Sequence, residues 1–368
     1  MATTLGVVRI AGVVALILAV LTAAPVHAQP PGVQTELARA VAEDDLAGGV
    51  AVVRDGPELT RFAAGHSDVA TGAGFAPNTH VRVGSITKTF VAATILQLVA
   101  EGALELEAPV ERYLPGRIRG DGIDPAKITV RQLLRHQSGL PEYFDEITAV
   151  PAEPVTGDRL LDMALTRPAQ FPPGTAMKYT NTNYVIAGLL IEKVTGLPAA
   201  VAVTARVILP LGLLDTYFPD PADRGLRAPL AHGYELVDGR RADVTDFNAS
   251  AAGMAGSLVS TNEDVTTFLT ALLDGRVVPA PLLEQMMQTV PMPDGDGVLR
   301  YGLGLARASL PCGVTAWGHG GDVPGYHSFM AKPLDGPAVA MTLTQEPAAA
   351  SPVEDPRAAI LDALYCPA

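Results

Sequence analysis

Ser85 and Lys88 stand three residues apart at the start of an apolar segment. Residues with this spacing share one face of a helix, with Cβ atoms about 5–6 Å apart, so the lysine amine can reach the serine hydroxyl. A free lysine has a pKa of about 10.4, so only burial would make it a base at neutral pH. The almost wholly apolar residues 90–100 predict a buried central helix that supplies this burial. The pattern favours an acyl-transferring serine hydrolase, with a serine-capped surface helix as the alternative.

The elements that must position this pair follow from the periodicity of apolar residues. Five segments have strand patterns: 48–54, 59–64, 315–319, 327–332 and 338–344. Five others have helical patterns: 33–46, 130–136, 183–194, 265–273 and 355–365. We expect the early and late strands to form one antiparallel sheet covered by the two terminal helices, with the middle region inserted as a helical domain. A site is expected at the boundary between these lobes.

The chain of 368 residues is long enough for one large domain or two smaller ones. Its formal net charge of −13 makes nucleic acid an unlikely partner. Residues 1–28 carry one fixed charge, at Arg9, then an apolar stretch and a small-residue site ending at Ala28. This pattern predicts a signal peptide removed after about Ala28, and therefore a secreted protein. We expect no stable membrane span, because no later stretch is apolar enough to cross a bilayer.

Cys312 and Cys366 are the two cysteines of the chain. In an oxidising compartment, an isolated pair far apart in sequence favours a disulfide over a metal site. Closing a loop of about 55 residues would contribute on the order of 4 kcal/mol to stability. The bond would tie the C-terminal helix to the strand region near Val314.

Two further motifs contain side chains that could do chemistry. Tyr179 and Asn181 lie two residues apart just before a helical pattern, and His319 follows Gly318 at the end of a strand pattern. Each motif alone also fits a structural interpretation, because asparagine caps helices and glycine is common in turns.

Taken together and in this order, the three motifs resemble the active-site elements of the penicillin-recognising serine hydrolases. The likeness looks closest to secreted actinobacterial serine DD-carboxypeptidases and class C β-lactamases, and it covers nearly all of the chain after the signal. Four stretches carry it further: VGSITKTF at 83–90, LLRHQSGL at 133–140, YGLGL at 301–305 and GHGGDVPGY at 318–326.

The resemblance implies the α/β plus all-α fold of β-lactamases and DD-peptidases. Its antiparallel sheet with terminal helices would comprise residues 29–80 and 300–368, after the signal peptide at 1–28. The inserted, mainly helical domain would comprise residues 81–299.

The resemblance also implies roles for the motif residues. Ser85 would attack the substrate carbonyl, and Lys88 would deprotonate it or keep the neighbouring tyrosine ionisable, a division of labour that is disputed for relatives. Tyr179 would relay the proton to the leaving group, and Asn181 would hold the substrate amide.

The strand motif would complete the substrate site through His319, Gly320, Gly321 and Asp322. The backbone N–H groups of Ser85 and Asp322 would form the oxyanion hole, where losing one donor typically costs about 3–4 kcal/mol of barrier. His319 stands where many relatives have lysine. Its ordinary pKa of about 6.5 suggests a charge that changes across neutral pH and aids anionic substrates when positive.

The sequence departs from the resemblance at the group that would hold a substrate carboxylate. DD-carboxypeptidases use a threonine between the histidine and glycine, which here is Gly320, and an arginine on the preceding strand. That arginine position is Ala306, and Arg307 one residue later would point to the other face. Esterase or D-amino-acid amidase activity could therefore replace carboxypeptidase activity.

Several functions remain open on this scaffold. The leading interpretation is a penicillin-binding D-alanyl-D-alanine carboxypeptidase acting on peptidoglycan-type peptides through an acyl-enzyme on Ser85. The alternatives are an esterase or D-aminopeptidase, a class C-like β-lactamase, and a catalytically silent sensor. The intact Ser85, Lys88, Tyr179 and Asn181 disfavour the sensor.

Other catalytic signatures are missing from the sequence. It contains no Gly-x-Ser-x-Gly elbow and no His-Glu-x-x-His, so a Ser-His-Asp hydrolase of the α/β type and metal catalysis are disfavoured. We expect no cofactor and no metal, a small-molecule or peptide substrate (a D-amino-acid peptide, ester or β-lactam), and a monomer. His136 is interpreted as a structural residue near the end of its helix.

Overall fold

A computed structural model describes residues 31–147, 151–293, 298–347 and 355–366. The predicted signal peptide at 1–28 lies outside these residues, so cleavage and secretion stay predictions. The helices are α1 (Pro31–Glu43), α2 (Thr87–Ala100), α3 (Val130–Leu134), α4 (Gly157–Ala164), α5 (Thr182–Thr195), α6 (Ala199–Val203), α7 (Gly253–Gly256), α8 (Asn262–Leu273), α9 (Ala280–Met286) and α10 (Pro356–Tyr365). The strands are β1 (Gly48–Asp55), β2 (Glu58–Gly65), β3 (Val81–Arg82), β4 (Tyr234–Val237), β5 (Arg240–Asp243), β6 (Val259–Ser260), β7 (Val290–Pro291), β8 (Leu299–Tyr301), β9 (Ala306–Ser309), β10 (Thr315–Val323), β11 (Tyr326–Pro333) and β12 (Ala338–Leu343).

The main sheet has eight antiparallel strands in the order β2-β1-β12-β11-β10-β9-β8-β7. The early hairpin and the three late strands therefore pair as expected, with β1 next to β12. The sequence did not predict β7, β8 and β9, because they are short and have little apolar alternation. The sheet is wider than expected at the edge where the site lies.

Each face of the sheet packs against a separate apolar core, because side chains alternate along a strand. Phe329, Met341 and Leu343 face the terminal helices, where Leu37 and Ile360 complete a core. Met330 and Ala340 face the opposite way, into a larger core that the inserted helices share. The expected antiparallel sheet with terminal helices and an inserted helical region is confirmed. The exact domain boundaries stay a prediction.

Capping residues and one glycine determine where several helices begin or end. Thr129 and Gln132 form a reciprocal capping box at the start of α3. The Thr261 side chain accepts a hydrogen bond from the backbone N–H of Asp264 at the start of α8. Gly196 ends α5 with φ of 70°, a left-handed conformation that glycine adopts without steric cost.

The Cys312–Cys366 disulfide is present, with Cα atoms 5.7 Å apart. It joins the turn between β9 and β10 to the end of α10, as the sequence predicted. The bond thus holds a terminal helix on the sheet strand that carries the His319 motif.

Among the described residues, a single helix long and apolar enough to cross a membrane is not found. The bent pair formed by α5 and Ala199–Ile208 meets the length and composition criteria together, with an angle of 78° between its parts. Most of α5 is buried in the larger core.

Candidate active site

Ser85 lies in a single 3-10 turn, Gly84–Ile86, between β3 and α2. Gly84 has φ of 50°, and a Cβ there would lie 2.8 Å from the backbone nitrogen of Asp322. Both the conformation and the close approach of β10 require glycine. The nucleophile therefore precedes the helix, and Lys88 lies in the first turn of α2.

Lys88 is fully buried beside the serine. Its Nζ lies 2.8 Å from Ser85 Oγ, 2.8 Å from Asn181 Oδ1 and 2.8 Å from the carbonyl oxygen of Ala255. Burial lowers the pKa of Lys88 to about 7, although the charges of Glu142 and Asp322 oppose the shift. A substantial fraction of Lys88 is therefore neutral near pH 7 and able to accept a proton.

Tyr179 is also placed at the serine. Lys88 Nζ lies 4.8 Å from the centre of the Tyr179 ring. Burial raises the pKa of Tyr179 above its usual value, and a hydrogen bond with Ser85 only partly opposes this. Tyr179 is therefore protonated at neutral pH, a state suited to donating a proton rather than accepting one.

Two residues outside the predicted site hold the Tyr179 loop. His136 Nδ1 accepts a hydrogen bond from the backbone N–H of Thr180 at 3.2 Å, and its ring centre lies 4.2 Å from that of Tyr179. Burial keeps the pKa of His136 well below its usual value, so the ring is neutral and Nδ1 can accept. Glu142 Oε2 accepts from the backbone N–H of Asn181 at 2.7 Å. The only sequence feature that pointed to His136 as a site residue was its place in the LLRHQSGL stretch. No sequence feature pointed to Glu142.

The motif strand β10 offers a free edge to the serine. Residues 315–318 pair with β9, whereas residues 319–322 pair, within the described chain, with β11 alone. A Cβ on Gly321 would lie 2.0 Å from the carbonyl oxygen of Val83 and 3.0 Å from the backbone nitrogen of Ser85. The nucleophile turn and β10 therefore meet backbone to backbone beside the free edge, which suits an oxyanion hole built from the Ser85 and Asp322 N–H groups.

The prediction that the charge of His319 changes across neutral pH is wrong. His319 is buried, and its Nε2 lies 2.7 Å from the hydroxyl of Tyr301. Burial and the nearby charge of Lys88 lower the pKa of His319 to about 4. The ring is neutral at pH 7, so it orients Tyr301 and does not attract anions by charge.

Five of the predicted site residues border one cavity of about 680 Å³, and Lys88, Asn181 and Gly321 lie outside its lining. Its lining includes the following chemically active or strand residues: Ser85, Tyr179, Tyr301, Ala306, His319, Gly320, Asp322, Asp355 and Arg357. Ala306 borders the cavity and Arg307 does not, as the strand offset predicted. Arg357 from α10 was missed, because its sequence neighbourhood carries no motif.

The comparisons with known proteins agree with this geometry. The Beta-lactamase family model matches residues 33–365. The chain belongs to the Beta-lactamase family. It is 31% identical over 340 residues to the esterase EstB of Burkholderia gladioli, covering 83% of this chain and 80% of that protein.

Two solved structures of related proteins are similar to this chain over most of their length. A D-stereospecific amidohydrolase from Streptomyces sp. is 36% identical, with a TM-score of 0.84, covering 92% of this chain and 99% of that one. A D-amino acid amidase from Ochrobactrum anthropi SV3, solved with L-phenylalanine amide, is 28% identical, with a TM-score of 0.80 and 90% and 97% coverage. The resemblance to penicillin-recognising hydrolases is confirmed at the level of family and fold.

The expectation of a monomer finds no support in these comparisons. An octameric penicillin-binding protein homologue from Pyrococcus abyssi is 25% identical, with a TM-score of 0.77 over 90% of this chain and 76% of that one. The monomer therefore stays a prediction for this chain.

Proposed function

We propose that this Beta-lactamase family member hydrolyses amides, peptides or esters of D-amino acids through an acyl-enzyme on Ser85. The observation that carries the proposal is the 2.8 Å contact between Ser85 Oγ and a Lys88 amine whose pKa is about 7. The similar D-stereospecific amidohydrolase and D-amino acid amidase support the substrate class.

The electrostatics assign separate tasks to Lys88 and Tyr179. Neutral Lys88 takes the Ser85 proton as Oγ attacks the substrate carbonyl, and the carbonyl oxygen gains negative charge between the Ser85 and Asp322 N–H groups. Tyr179, whose raised pKa keeps it protonated, donates its proton to the departing nitrogen or oxygen and is reprotonated from Lys88. Water then hydrolyses the ester on Ser85.

Asn181 fits a substrate-holding role in this scheme. Its Oδ1 already lies 2.8 Å from Lys88 Nζ, so the side-chain amide orientation is fixed. The Nδ2 donor is left for the substrate's carbonyl oxygen on the acyl side.

A D-alanyl-D-alanine carboxypeptidase is the second candidate. The observation that favours it is the Arg357 guanidinium on the cavity wall, which offers a cation where Gly320 and Ala306 offer none. It needs the same acyl-enzyme and differs in the leaving group.

The test compares wild-type protein with Ser85→Ala on D- and L-phenylalanine amides and on a short-chain ester. We expect wild type to favour the D-amide, and Ser85→Ala to lose roughly 10⁴- to 10⁶-fold in kcat. Intact-mass measurement after rapid quenching should find an acyl adduct on wild type alone. Equal rates on both enantiomers, or full activity in Ser85→Ala, would refute the proposal.

A further inference from the structure

His327 is a buried histidine that the proposed reaction does not use. It lies on β11 directly opposite Asp322 of β10, one residue pair from the turn that joins the two strands. Directly opposite residues on antiparallel strands point to the same face of the sheet. Phe329, two residues further along β11, belongs to the core under the terminal helices, so His327 and Asp322 face that side as well. His327 therefore lies between the motif strand and α10.

The imidazole of His327 is placed between two carboxylates. Its Nδ1 lies 2.6 Å from Asp322 Oδ1, and its Nε2 lies 3.9 Å from Asp355 Oδ1. The ring is almost fully buried, whereas both aspartate side chains are about half exposed. Burial lowers the pKa of His327, but the two carboxylates raise it by more, so the net shift is upward. The cationic form of the ring is therefore favoured.

Arg357 is the other cation beside these carboxylates, and it is bound to Asp355. Its Nε and Nη2 donate to the Asp355 carboxylate at 3.1 Å and 2.9 Å, whereas its Nη1 lies 3.6 Å from Asp322 Oδ2. Burial raises the pKa of Asp322, but His327 lowers it by more, so this carboxylate is ionised at neutral pH. Within the described chain, His327 is thus the close cationic partner of Asp322.

The partner of the Asp322 carboxylate matters because the backbone N–H of Asp322 is the second donor of the proposed oxyanion hole. That nitrogen approaches the nucleophile turn so closely that a Cβ on Gly84 would lie 2.8 Å from it. An unpaired carboxylate on the same residue would oppose the negative charge that develops on the substrate oxygen. A cation 2.6 Å from the carboxylate offsets this charge and fixes the side chain.

We propose that His327 is a positioning residue, which pairs with the Asp322 carboxylate and thereby keeps the backbone N–H of Asp322 effective as an oxyanion donor. The ring lies outside the lining of the cavity, so it transfers no proton to the substrate and does not bind it. This inference rests on the proposed function, because it concerns the same acyl transfer on Ser85.

The first experiment compares wild type with His327→Gln on D-phenylalanine amide and D-phenylalanine methyl ester at pH 7. We expect kcat to fall roughly tenfold or more, approaching the loss seen when an oxyanion donor is removed. KM should change less than about threefold, because the interaction acts on the transition state. Circular dichroism checks that the variant is folded. A folded His327→Gln with unchanged kcat, or with a KM that rises as much as kcat falls, would overturn the proposal.

Phenylboronic acid measures the oxyanion hole without turnover. Its boron bonds to Ser85 Oγ and becomes tetrahedral and negatively charged, while the serine proton passes to Lys88. A boronate oxygen then occupies the place of the substrate oxyanion, so the inhibition constant should rise in His327→Gln by about the same factor as kcat falls. Inhibition as strong as that of wild type would overturn the proposal.

His327→Lys tests whether the charge is what acts, and it is the variant to use if His327→Gln does not fold. Lysine keeps a cation between the two carboxylates, so kcat should stay within about threefold of wild type. A folded His327→Lys that is slower than wild type by about tenfold or more would overturn the role of the charge.

A double-mutant cycle with Asp322→Asn tests whether His327 acts through this carboxylate. Whatever the kcat of Asp322→Asn, adding His327→Gln to it should change kcat less than about twofold, because residue 322 then has no carboxylate to pair. Effects that multiply, as they do for independent positions, would overturn the proposal.

His232→Gln is the matched control. His232 Nδ1 lies 2.7 Å from Asp243 Oδ2, a pair of the same kind, and neither residue borders the cavity. Its kcat, KM and boronate inhibition should stay within about twofold of wild type. A loss as large as that of His327→Gln would overturn the specific role of His327. Failure of the proposed function is distinguishable, since wild type would then form no acyl adduct on Ser85.

Discussion

Gly320 and Gly321 are neighbours on β10, yet they face different kinds of surroundings. A Cβ on Gly321 would lie 2.0 Å from the backbone oxygen of Val83, whereas a Cβ on Gly320 would lie 3.0 Å from the terminal Nη1 of Arg357. Backbone cannot move without shifting the nucleophile turn, but the end of a long side chain can. The side of the cleft at Gly321 is therefore rigid, and the side at Gly320 is adjustable.

The rigid side extends beyond this one contact. Lys88 Nζ has three oxygen neighbours at 2.8 Å from three separate segments of the chain. On the other side, Arg357 is anchored through Asp355 in its own helix turn and reaches the cavity with a single nitrogen. The comparison indicates that close packing holds Ser85 and Lys88 in place, whereas one flexible side chain borders the cavity at Gly320.

Among substitutions that test this difference, Gly321→Ala is expected to reduce activity most. The new methyl would push β10 away from Ser85 and displace the Asp322 N–H, so kcat/KM should fall about 10²- to 10³-fold, as when an oxyanion donor is lost. Steady-state kinetics with an ester measure it, and circular dichroism checks that the variant is folded. Activity within a few-fold of wild type would contradict the rigid backbone contact.

A second effect concerns the pH dependence of the rigid side. Lys88 is the base only when neutral, and its pKa is about 7, so kcat/KM should fall tenfold per pH unit below pH 7 and level off above it. His319, with a pKa of about 4, should not titrate between pH 5 and 9. The measurement is a kcat/KM profile of wild type and His319→Gln.

The acidic limb of the kcat/KM profile should have its midpoint near pH 7 in both proteins, even if His319→Gln lowers the kcat/KM plateau. A limb that moves by a full unit or more in His319→Gln would assign the titration to the histidine instead. A limb below pH 5.5 in wild type would show that Lys88 is not the titrating base.

The smallest effect is expected for Gly320→Ala, the matched change on the adjustable side. The methyl meets the flexible end of Arg357, which can turn away, so kcat on a simple ester should stay within about threefold of wild type. A loss as large as that of Gly321→Ala would remove the distinction between the two regions.

Much of the fold was predictable from local signals. The capping residues Thr129 and Thr261 and the stop at Gly196 lie where the helices begin and end, because caps act within a few residues. Strands β1, β2, β11 and β12 were found because their apolar residues recur with strand length and bounding turns. Strands β7 to β9 were not, since sheet pairing rather than their own composition makes them strands.

The sequence by itself determined which residues are the candidates for catalysis in this Beta-lactamase family member. A serine three residues before a lysine, with Tyr179, Asn181 and the His319 strand, would supply a nucleophile, a base and a proton donor, and residue type and short spacing are enough to propose these roles. The disulfide between the two cysteines was also predicted from the sequence.

Only the tertiary structure decided the charge states of the site residues and the surroundings of Gly320. Burial is a property of the packed core, so the pKa of Lys88 near 7 and that of His319 near 4 could not be obtained from neighbours in sequence. Arg357 reaches Gly320 because α10 packs across the sheet and the disulfide holds its far end there. Contacts between distant segments depend on the whole fold, so the sequence motifs could not predict them.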